Sequence, residues 1–160
     1  MKQWFNRLAL LALLIALNGL CACQNPPPKA ISAPVPFRLL HNYFVRNNVP
    51  DGEWRELFTS KKAFNARFGM AAFMGPKGKP STIDFEQEAV LAVISPKQKQ
   101  EVSLQAQEVT TAGETLTFSY IHTMGAPLSY TIRPCLLIAI PLTDLKPHVV
   151  FSPTDALKKD

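Results

Sequence analysis

The chain has 160 residues, 47% hydrophobic and 18% charged, with 14 proline and 3 cysteine residues and a formal net charge of +5. Such a length holds one domain and leaves no room for separate cofactor and substrate lobes. The apolar content excludes long disorder, and the cysteine count excludes a disulfide-knit scaffold.

Met1 to Arg7 carry Lys2 and Arg7 and no acid, and Leu8 to Leu20 follow as a short apolar run. A positive start, a greasy stretch too short for a comfortable membrane span and small residues before a break describe a secretory signal peptide. The order Leu20-Cys21-Ala22-Cys23 resembles the lipobox of bacterial lipoproteins, with Cys23 as the acylated residue. The competing reading is an ordinary signal peptide cut near Ala22. Residues 1–22 are therefore expected to be a lipoprotein signal peptide. Residues 23–36 would be the lipidated cysteine and a tether, and residues 37–160 a single β-rich domain.

Each buried methylene of an acyl chain adds about 0.8 kcal/mol of membrane affinity, so two or three chains on Cys23 would anchor the protein stably in lipid. The tether 24–36 holds five prolines, one lysine and no acid. At about 3.1 Å per residue in polyproline geometry it would reach roughly 40 Å. Gln24, where an Asp would resemble inner-membrane retention, resembles the outer-membrane default instead. Losing Lys2 and Arg7 lowers the formal charge from +5 to +3. A balance that mild does not point to nucleic acid.

Phe37 to Val49 is aromatic and β-branched, reads as a strand, and ends at the turn sequence Pro50-Asp51-Gly52. Ser60 to Gly69 reads as a short helix. Ser60 is its cap, Phe64 and Phe68 share one face, and Gly69 is expected to supply a left-handed stop. Residues 75–80 are a loop. Ala89 to Ile94 is continuously apolar, as in a strand buried on both faces. Val102, Leu104 and Ala106 alternate with polar residues, as do Leu116, Phe118 and Tyr120, and Thr111 to Glu114 reads as the turn between them. Tyr130 to Ile140 alternates again around Pro134, expected at a bulge or edge. His148 to Phe151 would be a last strand. About six strands and one helix imply a mainly β fold, a small antiparallel β-sandwich or partly open barrel.

Motifs for chemistry are few. The sequence holds no CxxC, HExxH or GxSxG. Pro80 follows Gly78-Lys79 where a phosphate loop needs Ser or Thr. The carboxylates Glu53/Glu56, Asp84/Glu86/Glu88 and Asp155/Asp160 read as solvated charges. Cys135 stands in an apolar run, where burial makes a poor nucleophile. The expectation is a non-enzymatic protein without a cofactor or metal. The alternative is a periplasmic carrier of a small ligand or of Cu(I) by His122, Met124, Met70 and Met74; a hydrolase is a weaker alternative. The binding candidates are Lys77, Lys79, Lys97 and Lys99, in two loops flanking the central strand, and a first strand bracketed by His41, Asn42, Asn47 and Asn48. Loops at a sandwich end are common recognition sites, and an edge strand can pair with an extended peptide.

Two blocks carry a family resemblance, Ile83-Asp84-Phe85-Glu86-Gln87-Glu88-Ala89-Val90-Leu91-Ala92-Val93 and Thr131 to Pro141. Over about 70 residues they resemble the C-terminal domain of the protease complex subunit PrcB family, within small outer-membrane lipoproteins. Ser95 to Glu101 departs from that family's glycine-rich turn with an aromatic. The resemblance implies a β-rich sandwich in a non-catalytic lipoprotein that binds another exported protein, a protease in particular, as accessory or inhibitor.

Overall fold

The computed structural model describes residues 32–155 apart from Phe73, Pro76 and Lys77. In chain order the strands are β1 (Ala33–Pro34), β2 (Arg38–Leu39), β3 (Tyr43–Val45), β4 (Trp54–Phe58), β5 (Phe68–Met70), β6 (Glu88–Ile94), β7 (Gln98–Ala112), β8 (Thr115–Ile132), β9 (Cys135–Pro141) and β10 (His148–Asp155). One helix, α1 (Lys61–Arg67), precedes β5, and a 3-10 turn, Leu142–Asp144, follows β9. Among the described residues no helix is long and apolar enough to cross a membrane.

Residues 88–141 make one long antiparallel ribbon folded back on itself. β6 pairs with β9 from Glu88↔Pro141 to Ile94↔Cys135, and β7 pairs with β8 from Gln98↔Ile132 to Ala112↔Thr115. The turn at Gly113, with φ 58, closes the far end. At the bend both arms turn together, and the Ser95 amide donates to the Pro134 carbonyl at 2.9 Å across it. Pro134 thus lies in the connection between β8 and β9. Folding the ribbon lays β7–β8 over β6–β9 and generates two sheets. The front sheet runs β1-β7-β8-β10 and the middle sheet β2-β9-β6-β4; neither closes into a barrel.

The middle sheet is covered on both faces because successive side chains on a strand point to opposite sides. Ala89, Leu91 and Val93 of β6 meet Val109, Leu116, Phe118 and Tyr120 of the front sheet. Val90, Ala92 and Ile94 meet Phe58, Phe64 and Phe68 on the helix side. Every residue from Ala89 to Ile94 is at most 2% exposed. The mainly β sandwich with one short helix is therefore the fold of this chain.

Local details depart from the sequence pattern. The expected strand 37–49 is broken at Asn42, which adopts φ 62. β2 before it joins the middle sheet, and β3 after it pairs with β5 in a separate two-stranded antiparallel sheet. The aromatic content of 37–49 encodes burial of each piece and not the break. Gly69 is not a left-handed stop. The helix ends because Phe68 is already extended, with φ −117 and ψ 145, and Gly69 lies opposite Phe44 in the β3–β5 ladder. The last strand is longer than expected and parallel to its neighbour: β10 runs from His148↔Thr115 to Asp155↔His122 beside β8. Parallel neighbours need a crossover, and β9 with the 3-10 turn, in the other sheet, is that crossover.

The bend is clamped from outside. Arg133 donates from Nη1 to the Val49 carbonyl at 2.8 Å and from Nη2 to the Pro50 carbonyl at 2.6 Å. Asp51 Oδ1 accepts from the Lys97 amide at 2.8 Å and from the Gly52 amide at 2.9 Å. These backbone donors, the Lys97 amide first, hold the Asp51 carboxyl below the ordinary aspartate range.

Candidate functional site

The folded ribbon leaves two openings between its sheets, on opposite sides. On the β1–β2 side, β1 pairs only with Thr110 and Thr111 of β7, and the Val35 amide donates to the Val109 carbonyl. From Gln98 to Glu108 the outer edge of β7 has no neighbouring strand among the described residues. At about 3.3 Å per residue this open edge is on the order of 35 Å long. Beneath it lies a groove of about 460 Å³ lined by Leu39, Leu40, His41, Leu104, Ala106 and Cys135 to Leu137. The groove exists because β2 crosses to the middle sheet at Arg38↔Ala139 and Leu39↔Ile138 and covers no more of β9 than Leu137.

The opposite opening, between β4 and β10, is a cleft of about 360 Å³ inside the bend. Arg55 of β4 reaches across it. Its Nε donates to the Tyr120 hydroxyl at 2.9 Å, and its Nη2 donates to Glu53 at 2.5 Å. The Tyr120 bond and the neighbouring carboxylate hold the Arg55 guanidinium above its ordinary value. His122 and Met124 of β8 line the same cleft, and the enclosed His122 Nε2 has no hydrogen-bond partner. Ser95 lies in the bend, is 5% exposed, and its hydroxyl accepts from Gln98 Nε2 at 3.3 Å. Val93, Leu104 and Pro153 complete an apolar wall.

β8 also carries an irregular stretch. Between Gln98↔Ile132 and Gln100↔Pro127 the partner strand advances five positions for two. Leu128 to Thr131 therefore stand out of the ladder, and Tyr130 is 61% exposed.

The residues singled out from sequence are distributed as follows. Cys23 and Lys77 lie outside the described residues. The Lys79 carbonyl accepts from Asn42 Nδ2 at 2.9 Å, which sets that loop against the β2–β3 connection. Lys97 sits at the bend, on Asp51, and Lys99 is exposed near the start of β7. Lys79 and Lys97 are thus held by different partners. Of the soft donor set, His122 and Met124 share the cleft, but Met70 lines a different pocket with Tyr43 and Asn65. The middle sheet stands between these pockets, and Met74 is fully exposed in the loop. Among the described residues no three His, Cys, Asp or Glu side chains gather as a metal site would require.

The carboxylates singled out are partly structural. Glu56 accepts two hydrogen bonds from Arg67, at 2.8 and 3.1 Å, and Arg67 also packs over the Trp54 ring. Glu88 pairs with Arg38 at 2.6 and 2.8 Å, and that pairing holds its carboxyl below the usual range. Burial pushes the Cys135 thiol up to about 11. Sequence reasoning missed Arg55, Tyr120 and Ser95 as site residues and read Glu53 as a solvated charge. They come from three separate segments, around 53–55, 95 and 120, and only the fold of the ribbon brings them together. No protein-family model, no curated protein and no solved structure matches this chain.

Proposed function

We propose that this chain is a lipid-anchored envelope protein whose sandwich binds an extended segment of another exported protein, added as a strand along β7. The supporting observation is the open edge of β7 from Gln98 to Glu108 above a groove lined by apolar side chains together with His41 and Gln105. Strand addition uses both parts: the edge offers backbone hydrogen bonds, and a groove beneath it selects alternate side chains. Lys99 and Glu101 on that edge, with the register shift at Ala106/Glu108, are features that keep such an edge from pairing indiscriminately. Acylation at Cys23 and the proline-rich tether would place the domain at the outer membrane, within reach of exported partners. A protease is the specific partner that the family resemblance implies, with this chain as accessory or inhibitor.

The experiment is photo-crosslinking in the intact envelope, with the reactive residue at Gln105, which lines the groove, or at Lys62, on the exposed face of α1. Gln105 should capture a discrete partner that Lys62 does not, and Ala106→Trp, which fills the groove, should abolish that capture. Equal capture from both positions, or survival of the adduct in Ala106→Trp, overturns the reading. Charge reversal of Lys77, Lys79 and Lys97, with Lys99 of β7 left in place, tests the loops separately: reduced capture includes them in the interface, and unchanged capture confines it to the β7 edge.

A further inference from the structure

The cleft between β4 and β10 has an imbalance of hydrogen-bonding groups. The Tyr120 hydroxyl already accepts from Arg55 Nε, and the Ser95 hydroxyl already accepts from Gln98 Nε2. Each hydroxyl therefore has its own proton left to donate, and neither finds an acceptor among the described residues. Arg55 uses Nε on Tyr120 and one Nη2 hydrogen on Glu53, which leaves the Nη1 side of its fork without a protein partner among those residues. His122 Nε2 is enclosed and unpaired, and in its Nε2–H tautomer it adds one more donor. Glu53 is the one carboxylate lining the cleft among the described residues; it is half exposed at the rim and already engaged by Arg55. Surplus donors around an oriented guanidinium suit an anionic acceptor with two oxygens. The apolar wall of Val93, Leu104, Met124 and Pro153 suits a hydrocarbon body. The volume, about 360 Å³, falls in the range of small-ligand sites.

We infer that this cleft binds a carboxylate carried on a short apolar chain. The carboxylate lies against the Nη1 side of Arg55 and accepts from Tyr120, Ser95 or His122, and the chain lies along Met124 and Leu104. The cleft opens between β4 and β10 and shares Leu104 with the groove beneath the β7 edge; its ligand is argued from its own donors and does not rest on the protein-binding reading. Two sources supply this chemistry in an envelope, a free fatty acid and the C-terminus of a peptide with an apolar last residue.

The test is calorimetric titration of the full-length chain, in a sugar-headgroup detergent, with octanoate, octylamine, and a hexapeptide ending in leucine with a free or an amidated C-terminus. Imidazole nitrogen NMR follows His122 in parallel. Octanoate or the free-acid peptide should bind and shift the His122 ring signals; octylamine and the amidated peptide should not. The tighter of the two acids identifies the source. Arg55→Gln should weaken binding about tenfold or more, the loss expected for one charge-assisted contact. Because that change also removes the tie to Tyr120, Met124→Glu serves as a second variant. It places a repelling charge on an exposed rim residue without touching the core, and it should weaken the acid ligand as well. Failure of both acids to bind, equal binding of octylamine, or unchanged affinity in Met124→Glu with the fold intact overturns the inference.

Discussion

Arg55 and Tyr120 are joined by a 2.9 Å hydrogen bond that runs from the edge strand of the middle sheet to the interior of the front sheet. Tyr120 is 1% exposed, so its hydroxyl is a polar group carried between two sheets, and the guanidinium is the partner from which it accepts. Phe118, two residues earlier on the same face, packs against the Tyr120 ring at 5.6 Å, so the ring itself is fixed by core contacts. The hydroxyl, not the ring, is the part that ties the sheets at the cleft.

Tyr120→Phe should keep the core and remove this tie. The expected cost is about 1 kcal/mol, the net value of one hydrogen bond to a charged group that remains partly in water. Urea unfolding followed by near-ultraviolet dichroism measures it. A loss of 3 kcal/mol or more would mean that the ring position had shifted, and no loss would mean that the bond contributes nothing to holding the sheets.

Gly69 faces the Phe44 ring so closely that a Cβ there would stand 2.5 Å from Phe44 Cζ and 2.7 Å from Cε1. Gly69 is not in the left-handed region, so alanine fits its backbone and only the ring must move. Phe44 is 45% exposed and can swing into solvent, so Gly69→Ala should cost no more than about 1 kcal/mol, the scale of a cross-strand side-chain pair. In a Phe44→Ala background the same substitution should be neutral or stabilising. The double-mutant cycle reads this coupling directly. Additive effects of the two changes would show that the glycine is needed for some other reason.

How far these features were legible in the sequence follows from the range of the interactions. Ala89 to Ile94 announces a strand buried on both faces, because a continuous apolar run needs no partner to be recognised. Gly113 marks the tip of the β7–β8 hairpin, because a turn is a local event. The fold of the ribbon at Ser95 and Pro134 is not legible, because apolar alternation says which residues are buried and not which strand they pair with. The cleft depends on that fold. His122 and Met124 are visible as a same-face pair two residues apart, but Arg55 lies 65 residues from Tyr120 in the chain and joins it only after the ribbon bends. Asn42 is a similar case. Its positive φ splits an apparently continuous strand, and nothing in the aromatic pattern of 37–49 signals it.

Acid should loosen the bend and the β2 edge together. The Asp51 carboxyl is held below its ordinary value by the Lys97 amide, and the Glu88 carboxyl by Arg38. A carboxyl with a lowered folded pKa contributes stability that is complete above its unfolded pKa, roughly 4, and is lost as pH falls through the folded value. The urea midpoint should therefore be flat from neutral pH to about pH 5 and fall below about pH 4. Glu88→Gln should lower stability at neutral pH by about 1 kcal/mol or less, since Arg38 is well exposed. The gap between that variant and the parent should close in acid, and Asp51→Asn should behave in the same direction. A gap that stays constant from pH 7 to pH 3 would remove these carboxyls from the acid response.

Cys135 gives a test of the packing at the base of the groove. With Cys21 removed and Cys23 acylated, it would be the one thiol left in the mature chain. Burial raises its thiol to about 11, so at neutral pH the thiolate is roughly a hundredfold scarcer than in the unfolded chain. Iodoacetamide should therefore label the folded protein at least that much more slowly than the protein in urea, because access adds to the ionisation effect. Mass spectrometry of the same sample reads the N-terminus: an acyl-modified Cys23 and a single slow thiol is the expected pattern. Two fast thiols would mean that Cys23 is free and that the groove floor is open, and they would sink both the anchor and the packing described for β9. If only the folded-state rate is fast, the anchor stands and the groove is wider than 460 Å³, which makes room for a partner strand without rearrangement.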